Sequence, residues 1–123
     1  MTATIRSAGD GDEPAALPFL LSIDVSGGSV AVRGDLDRDH VELFLGAVRL
    51  LTAAPSPCWS VDVSAVTFCD AGGLRGLLAA KRLAERAGRS FRITGAGPWM
   101  RHLLPMIGLS VPAESTRILR AVR

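Results

Sequence analysis

The sequence predicts an α/β domain, a mixed sheet of four to five strands with helices packed on it. Three observations carry that reading. Stretches alternating apolar with polar residues occur in "FLLSIDV" and "CWSVDVSAVTF", the period of strands with one buried face, and "SVAVR" and "SFRIT" supply two more extended stretches. Runs between the later stretches place apolar residues at three- and four-residue steps, the period of a helix lying on a core. Only Ser26-Gly27-Gly28 joins the first two extended stretches, whereas helix-length segments separate the later ones, so an opening hairpin gives way to strand–helix alternation.

Taken in order, residues 1–17 are rich in Ser, Thr, Gly, Asp and Pro without periodicity, and read as a mobile tail ahead of one domain over 18–123. In the first strand Leu21, Ile23 and Val25 face one way, Ser22 and Asp24 the other. A glycine turn leads to the second strand and then to the loop "GDLDRD". A first helix over 41–51 lines up Val41, Phe44, Val48 and Leu51, and Pro55 and Pro57 end it because neither ring continues the hydrogen-bond ladder. Trp59, Val61 and Val63 form the inner face of the third strand. A helix of about four turns runs to Arg86, with Gly88 as its cap and a fourth strand beyond. Pro98 suits the first turn of a third helix, and Pro105 shortens its last turn. A brief strand over 109–111 and a basic helix over 114–123 close the order.

Composition narrows the class of function. At 123 residues the chain has the size of one domain, and 14 basic against 12 acidic residues is too even for a nucleic-acid-binding face. No apolar run reaches the roughly 18 residues of a membrane span, and the N-terminus lacks a secretory apolar core, so the expectation is a cytoplasmic protein without membrane insertion. Cys58 and Cys69 lack zinc-site or CxxC spacing and read as small thiols in a reducing compartment.

The most informative stretch is "VTFCDAGGLRGLL", residues 66–78, where a strand becomes a helix through Asp70-Ala71-Gly72-Gly73. Asp70 suits the N-cap, and two glycines let another backbone come close, which fits a docking surface. Without a following Gly-Lys-Ser/Thr it is not a phosphate loop. On the helix that follows, Leu74, Leu77, Ala80, Ala84 and Ala87 should face the sheet, and Arg75, Arg82 and Arg86 form one exposed stripe suited to solvent or an acidic partner. Asp35, Asp37 and Asp39 form an acidic loop without the pattern of a calcium site, and Asp37 is the one placed to touch a partner. His40 and His102 lack a serine or cysteine in a catalytic order. With no nucleophile–base set, metal cluster or cofactor loop, the expectation is a non-enzyme without cofactor or metal.

These residues resemble the STAS domain of bacterial anti-sigma-factor antagonists. Gly34, Leu36 and Asp37 match a Gly-x-Leu-Asp loop before the first helix. "VDVSAVTFCDAGGL" is similar to a strand ending in Asp-Leu-Ser-x-Val-x-Phe-x-Asp-Ser-Ser-Gly-Leu. The likeness covers about residues 18–122 and implies a STAS-like (SpoIIAA-like) fold. It also implies a partner, an anti-sigma factor of the GHKL-type serine kinase class, whose capture releases a sigma factor and so regulates transcription. In that family the kinase phosphorylates the second serine of the motif, and Gly72 stands at that position here, with Ala71 at the first. The usual off-switch is therefore missing. The protein is then a permanently active antagonist, or one regulated at Ser64 or Thr67, or a docking module outside the sigma pathway. The interface implied runs over Gly34, Asp35, Leu36, Asp37, Ser64, Asp70, Ala71, Gly72, Gly73, Leu74 and Arg75. The Asp-Ala-Gly-Gly-Leu junction is also similar to that of STAS accessory subunits docking on the ATPase of an ABC-type lipid transporter. A scaffold or homodimer role is the third alternative.

Overall fold

The computed structural model of the chain describes residues 2–6 and 19–109. A hairpin opens the domain: β2 (Leu20–Asp24) and β3 (Ser29–Leu36) pair antiparallel, and Leu21, Ile23, Val30 and Val32 are buried while their neighbours in sequence are not. Helix α1 (Val41–Leu50) then crosses to β4 (Cys58–Cys69), and α2 (Ala71–Arg86) crosses to β5 (Ser90–Thr94), so β3, β4 and β5 are mutually parallel. Parallel neighbours need a long crossover, which is why the helices sit between these strands in sequence. A short α3 (Pro98–Leu103) and a 3-10 turn (Leu104–Ile107) complete the described part, the break falling where Pro105 was expected to shorten the helix.

One strand was not expected. Residues Thr2–Arg6 form β1, which pairs antiparallel with β2 and makes the sheet five-stranded in the order β1-β2-β3-β4-β5. The sequence reading of residues 1–17 as an unstructured tail is corrected there: five residues rich in β-branched side chains suffice to cover an open edge, because the partner strand supplies the ladder. The expected final helix over 114–123, and all but Leu109 of the expected strand over 109–111, lie outside the described residues.

The core lies on one face of the sheet. Trp59, Val61 and Val63 of β4 meet Phe44, Ala47 and Val48 of α1 and Leu77, Ala80 and Ala84 of α2, all buried. Leu74 and Ala87, expected on the same face of α2, are half-buried and pack against this core. Gly88 closes α2 at φ 75°, a left-handed conformation that glycine adopts without strain. Arg89 then donates to the carbonyls of Ala54 (2.9 Å) and Ser56 (2.8 Å) while its guanidinium lies over the Trp59 ring, which ties the two crossover connections together. Trp99 is 43% exposed and its neighbour Met100 is buried, so only one of that pair joins the core. No helix among the described residues is long and apolar enough to cross a membrane.

β4 is longer than its alternation suggests. Ala31 and Arg33 of β3 align with Asp62 and Ala65, and Gly34 and Asp35 with Val66 and Phe68, so β4 carries an extra residue at two places. Each bulge re-phases the strand. The buried positions therefore run Trp59, Val61, Val63, Val66 and Cys69, leaving Ser64, Ala65, Thr67 and Phe68 outward.

Candidate docking site

The end of β4 and the start of α2 meet the loop that leaves β3. Asp70 has an extended backbone and its Oδ1 accepts the Gly73 N–H at 2.8 Å, an N-cap that satisfies one of the free donors of the first turn. The two glycines after it have a different use from the expected one. A β-carbon on Gly73 would collide with the backbone carbonyl of Leu36, and one on Gly72 would come within 2.7 Å of the Arg38 Cβ and 3.1 Å of its Cα. A third, Gly76, leaves room for a methyl of Val41. The glycines thus admit the chain's own β3–α1 loop and α1, and the expectation that they make space for a partner's backbone is corrected on that ground.

The loop is held as firmly from its other side. Asp37 Oδ1 accepts the N–H groups of Asp39 (3.1 Å) and His40 (3.2 Å), and His40 Nδ1 lies 2.9 Å from the same oxygen and 3.1 Å from the Asp35 carbonyl. Both neighbours of Nδ1 are acceptors, so Nδ1 is the nitrogen that carries a proton. The imidazole also stacks on Phe19 with centroids 4.3 Å apart. Asp35 accepts the Thr67 hydroxyl at 3.1 Å, joining the loop to the end of β4. Cys69 is buried beneath this turn, and loss of hydration, together with the carboxylates of Asp70 and Asp37, pushes its thiol up to about 11. Among the described residues no three His, Cys, Asp or Glu side chains converge as a metal ion would need.

The family model described as "Mlab, STAS domain" matches residues 19–119, most of the chain. The chain belongs to the STAS domain family. Among solved structures, the anti-sigma factor antagonist SpoIIAA in its unphosphorylated form is 21% identical with a TM-score of 0.51, covering 85% of this chain and 97% of that one. SLC26A9 is 12% identical with a TM-score of 0.58 over 76% of this chain. Murine Slc26a9, an anion transporter solved in its inward-facing state, is 14% identical with a TM-score of 0.57 over 98% of this chain. Each is a likeness of fold. The STAS domain described here spans only 19% and 22% of the two transporter chains. No curated protein matches significantly.

Within the STAS domain most of the residues singled out in the sequence converge. Gly34, Leu36 and Gly73 are buried, Asp37, Asp70, Gly72 and Leu74 half-buried, and Asp35, Ala71 and Arg75 exposed, all around the one junction. Ser64 does not join them. It lies on the sheet face opposite the described helices, lining a shallow hollow with Ser22, Ala31, Arg33 and Asp62, where the alternation that buries Val61 and Val63 already places it. Phe68 was missed: it is 51% exposed, faces outward at the end of β4 and pairs with Asp35. Plain alternation from Val63 already points Phe68 outward; what the sequence does not supply is its neighbour, since only the register with β3 sets it beside Asp35.

Proposed function

We propose that this STAS domain is a non-catalytic docking subunit that stays attached to an ATP-handling partner protein without a phosphorylation switch. The carrying observation is the filled space at Gly72. Position 72 lacks a hydroxyl, and the Arg38 Cβ stands 2.7 Å from where a side chain would begin. The loop has closed over the place where relatives carry the phosphorylated serine. What faces outward is a rim of Asp35, Arg38, Asp39, Phe68, Ala71 and Arg75, charges of both signs around one aromatic ring. That composition suits a protein interface with an apolar anchor and a polar border.

The partner in this reading is the ATPase subunit of an ABC-type transporter, met in the cytoplasm. The match to the Mlab type of STAS domain and the Asp-Ala-Gly-Gly-Leu junction support it. A second reading is an anti-sigma-factor antagonist bound to a GHKL-type kinase, favoured by the likeness to SpoIIAA over 97% of that chain. Titration calorimetry of the purified domain against an ABC ATPase and a GHKL-type kinase from the same cell separates them. The expected result is binding to the ATPase, with residues 70–74 unmodified after incubation with ATP. Binding to the kinase alone, with release of a sigma factor, selects the second reading. Phosphate mapped to residues 70–74 overturns the switch-free mechanism in either.

A further inference from the structure

Helices α1 and α2 lie side by side on the sheet, and between their C-terminal halves runs a groove of about 210 Å³ lined by Leu45, Arg49, Ala79, Arg82, Leu83 and Arg86. Its floor is apolar, with Leu45 buried and Ala79 and Leu83 half-buried. Its walls are three exposed arginines, two from the stripe expected on α2 and one from α1. No guanidinium among the three is hydrogen-bonded or ion-paired to a described residue, whereas Lys81 on the same helix pairs with Glu85 at 3.7 Å and Arg89 caps three carbonyls. Like charges at this spacing repel one another until an anion joins them.

We infer that this groove docks an acidic amphipathic segment of a partner protein, with one apolar side chain on the Leu45–Leu83 floor and carboxylates on Arg49, Arg82 and Arg86. Guanidinium groups bind carboxylates through paired, parallel hydrogen bonds, and long stems of arginine extend an apolar floor. A free phosphate makes no use of that floor. An anionic membrane prefers a uniformly basic face, and Glu42 and Glu85 stand exposed on the same two helices. The chain's own residues 110–123 carry Arg117, Arg120 and Arg123 against one Glu114, the wrong sign for this groove. The groove is also separate from the junction: Arg82 lies eleven residues along α2 from Ala71, about 16 Å at 1.5 Å per residue. It does not rest on the reading above, and a partner bound at the junction leaves it open.

The test is fluorescence anisotropy of a labelled helical peptide with leucines and glutamates on one face, titrated with the full chain. Binding is expected, weakened about tenfold or more by Arg82→Glu and by Arg49→Glu, each checked for folding by circular dichroism. Arg82→Gln should weaken it less, and Arg33→Glu, at an exposed position on the sheet face opposite the described helices, should leave it unchanged. Amide shifts on binding should centre on Ala79 and Leu83. Equal loss in Arg33→Glu, or equal binding of the glutamine version of the peptide, overturns the proposal as diffuse charge attraction. Binding of phosphatidylglycerol vesicles or inorganic phosphate in place of the peptide overturns it in favour of a lipid or ion site. A gain in peptide affinity when Asp10, Asp12 and Glu13 are neutralised shows that the groove is filled by the chain's own acidic stretch, which also overturns it.

Discussion

The carbonyl oxygen of Leu36 occupies the space that a β-carbon on Gly73 would need. This contact joins the end of β3 to the first turn of α2 and fixes the depth at which the helix enters the sheet. Gly73→Ala should therefore lower stability by about 2–4 kcal/mol in urea unfolding, since a backbone neighbour cannot rotate away. Gly46→Ala on α1 meets nothing within 4 Å and should raise stability by about 0.5–1 kcal/mol. Equal effects of the two would remove the packing explanation for the glycines.

Position 72 offers a second contrast. Gly72→Ser places its β-carbon against Arg38 and should cost about 1–3 kcal/mol, whereas Ala71→Ser is exposed and should stay within about 0.5 kcal/mol. Thermal unfolding of the pair decides it. A tolerated serine at 72 would show that the loop yields easily and that the switch is merely absent, not closed over.

The N-cap is expected to be worth about 1 kcal/mol. Asp70→Ala should lose that amount in chemical denaturation, and Asp70→Asn should retain most of it, because the amide oxygen still accepts the Gly73 N–H. A loss in the asparagine variant as large as in the alanine variant would assign the role to charge.

Cys69 links the junction to pH. Its thiol is raised from 9.0 to about 11 in the folded protein, so above pH 9 the unfolded chain gives up this proton while the folded chain keeps it. The stabilisation is whole below about pH 9 and is lost as pH rises towards 11. Unfolding midpoints measured from pH 8.5 upward should fall less steeply in Cys69→Ala. At pH 8 iodoacetamide should label half-buried Cys58 before Cys69.

Docking is best probed at Ala71, which is exposed at the first position of α2. Ala71→Arg should leave the fold intact and weaken binding of the ATPase partner about tenfold or more, through a bulky charge in the interface. Unchanged affinity in calorimetry would move the interface away from the junction.

Much of this was written in the chain. The alternation in residues 59–63, the helical spacing of Leu77, Ala80 and Ala84, the cap at Asp70 and the stop at Gly88 are local signals, because each depends on neighbours a few residues away. They were enough to set out a hairpin followed by strand–helix alternation and to mark residues 70–74 as the junction of interest. The edge strand over residues 2–6 was not legible, since its five residues gain order only from pairing with β2.

The purpose of the glycines was likewise a tertiary decision. Local rules said that Gly72 and Gly73 allow close approach, and only the assembled sheet showed that Leu36 and Arg38 of the same chain make it. The bulges in β4 turned Val66 inward and left Ala65 and Thr67 exposed, and the packing of α1 on α2 brought Arg49 beside Arg82 and Arg86. Periodicity measures what a residue's own element wants. Register and helix packing depend on contacts between residues far apart in sequence, and those contacts choose which surface is left for a partner.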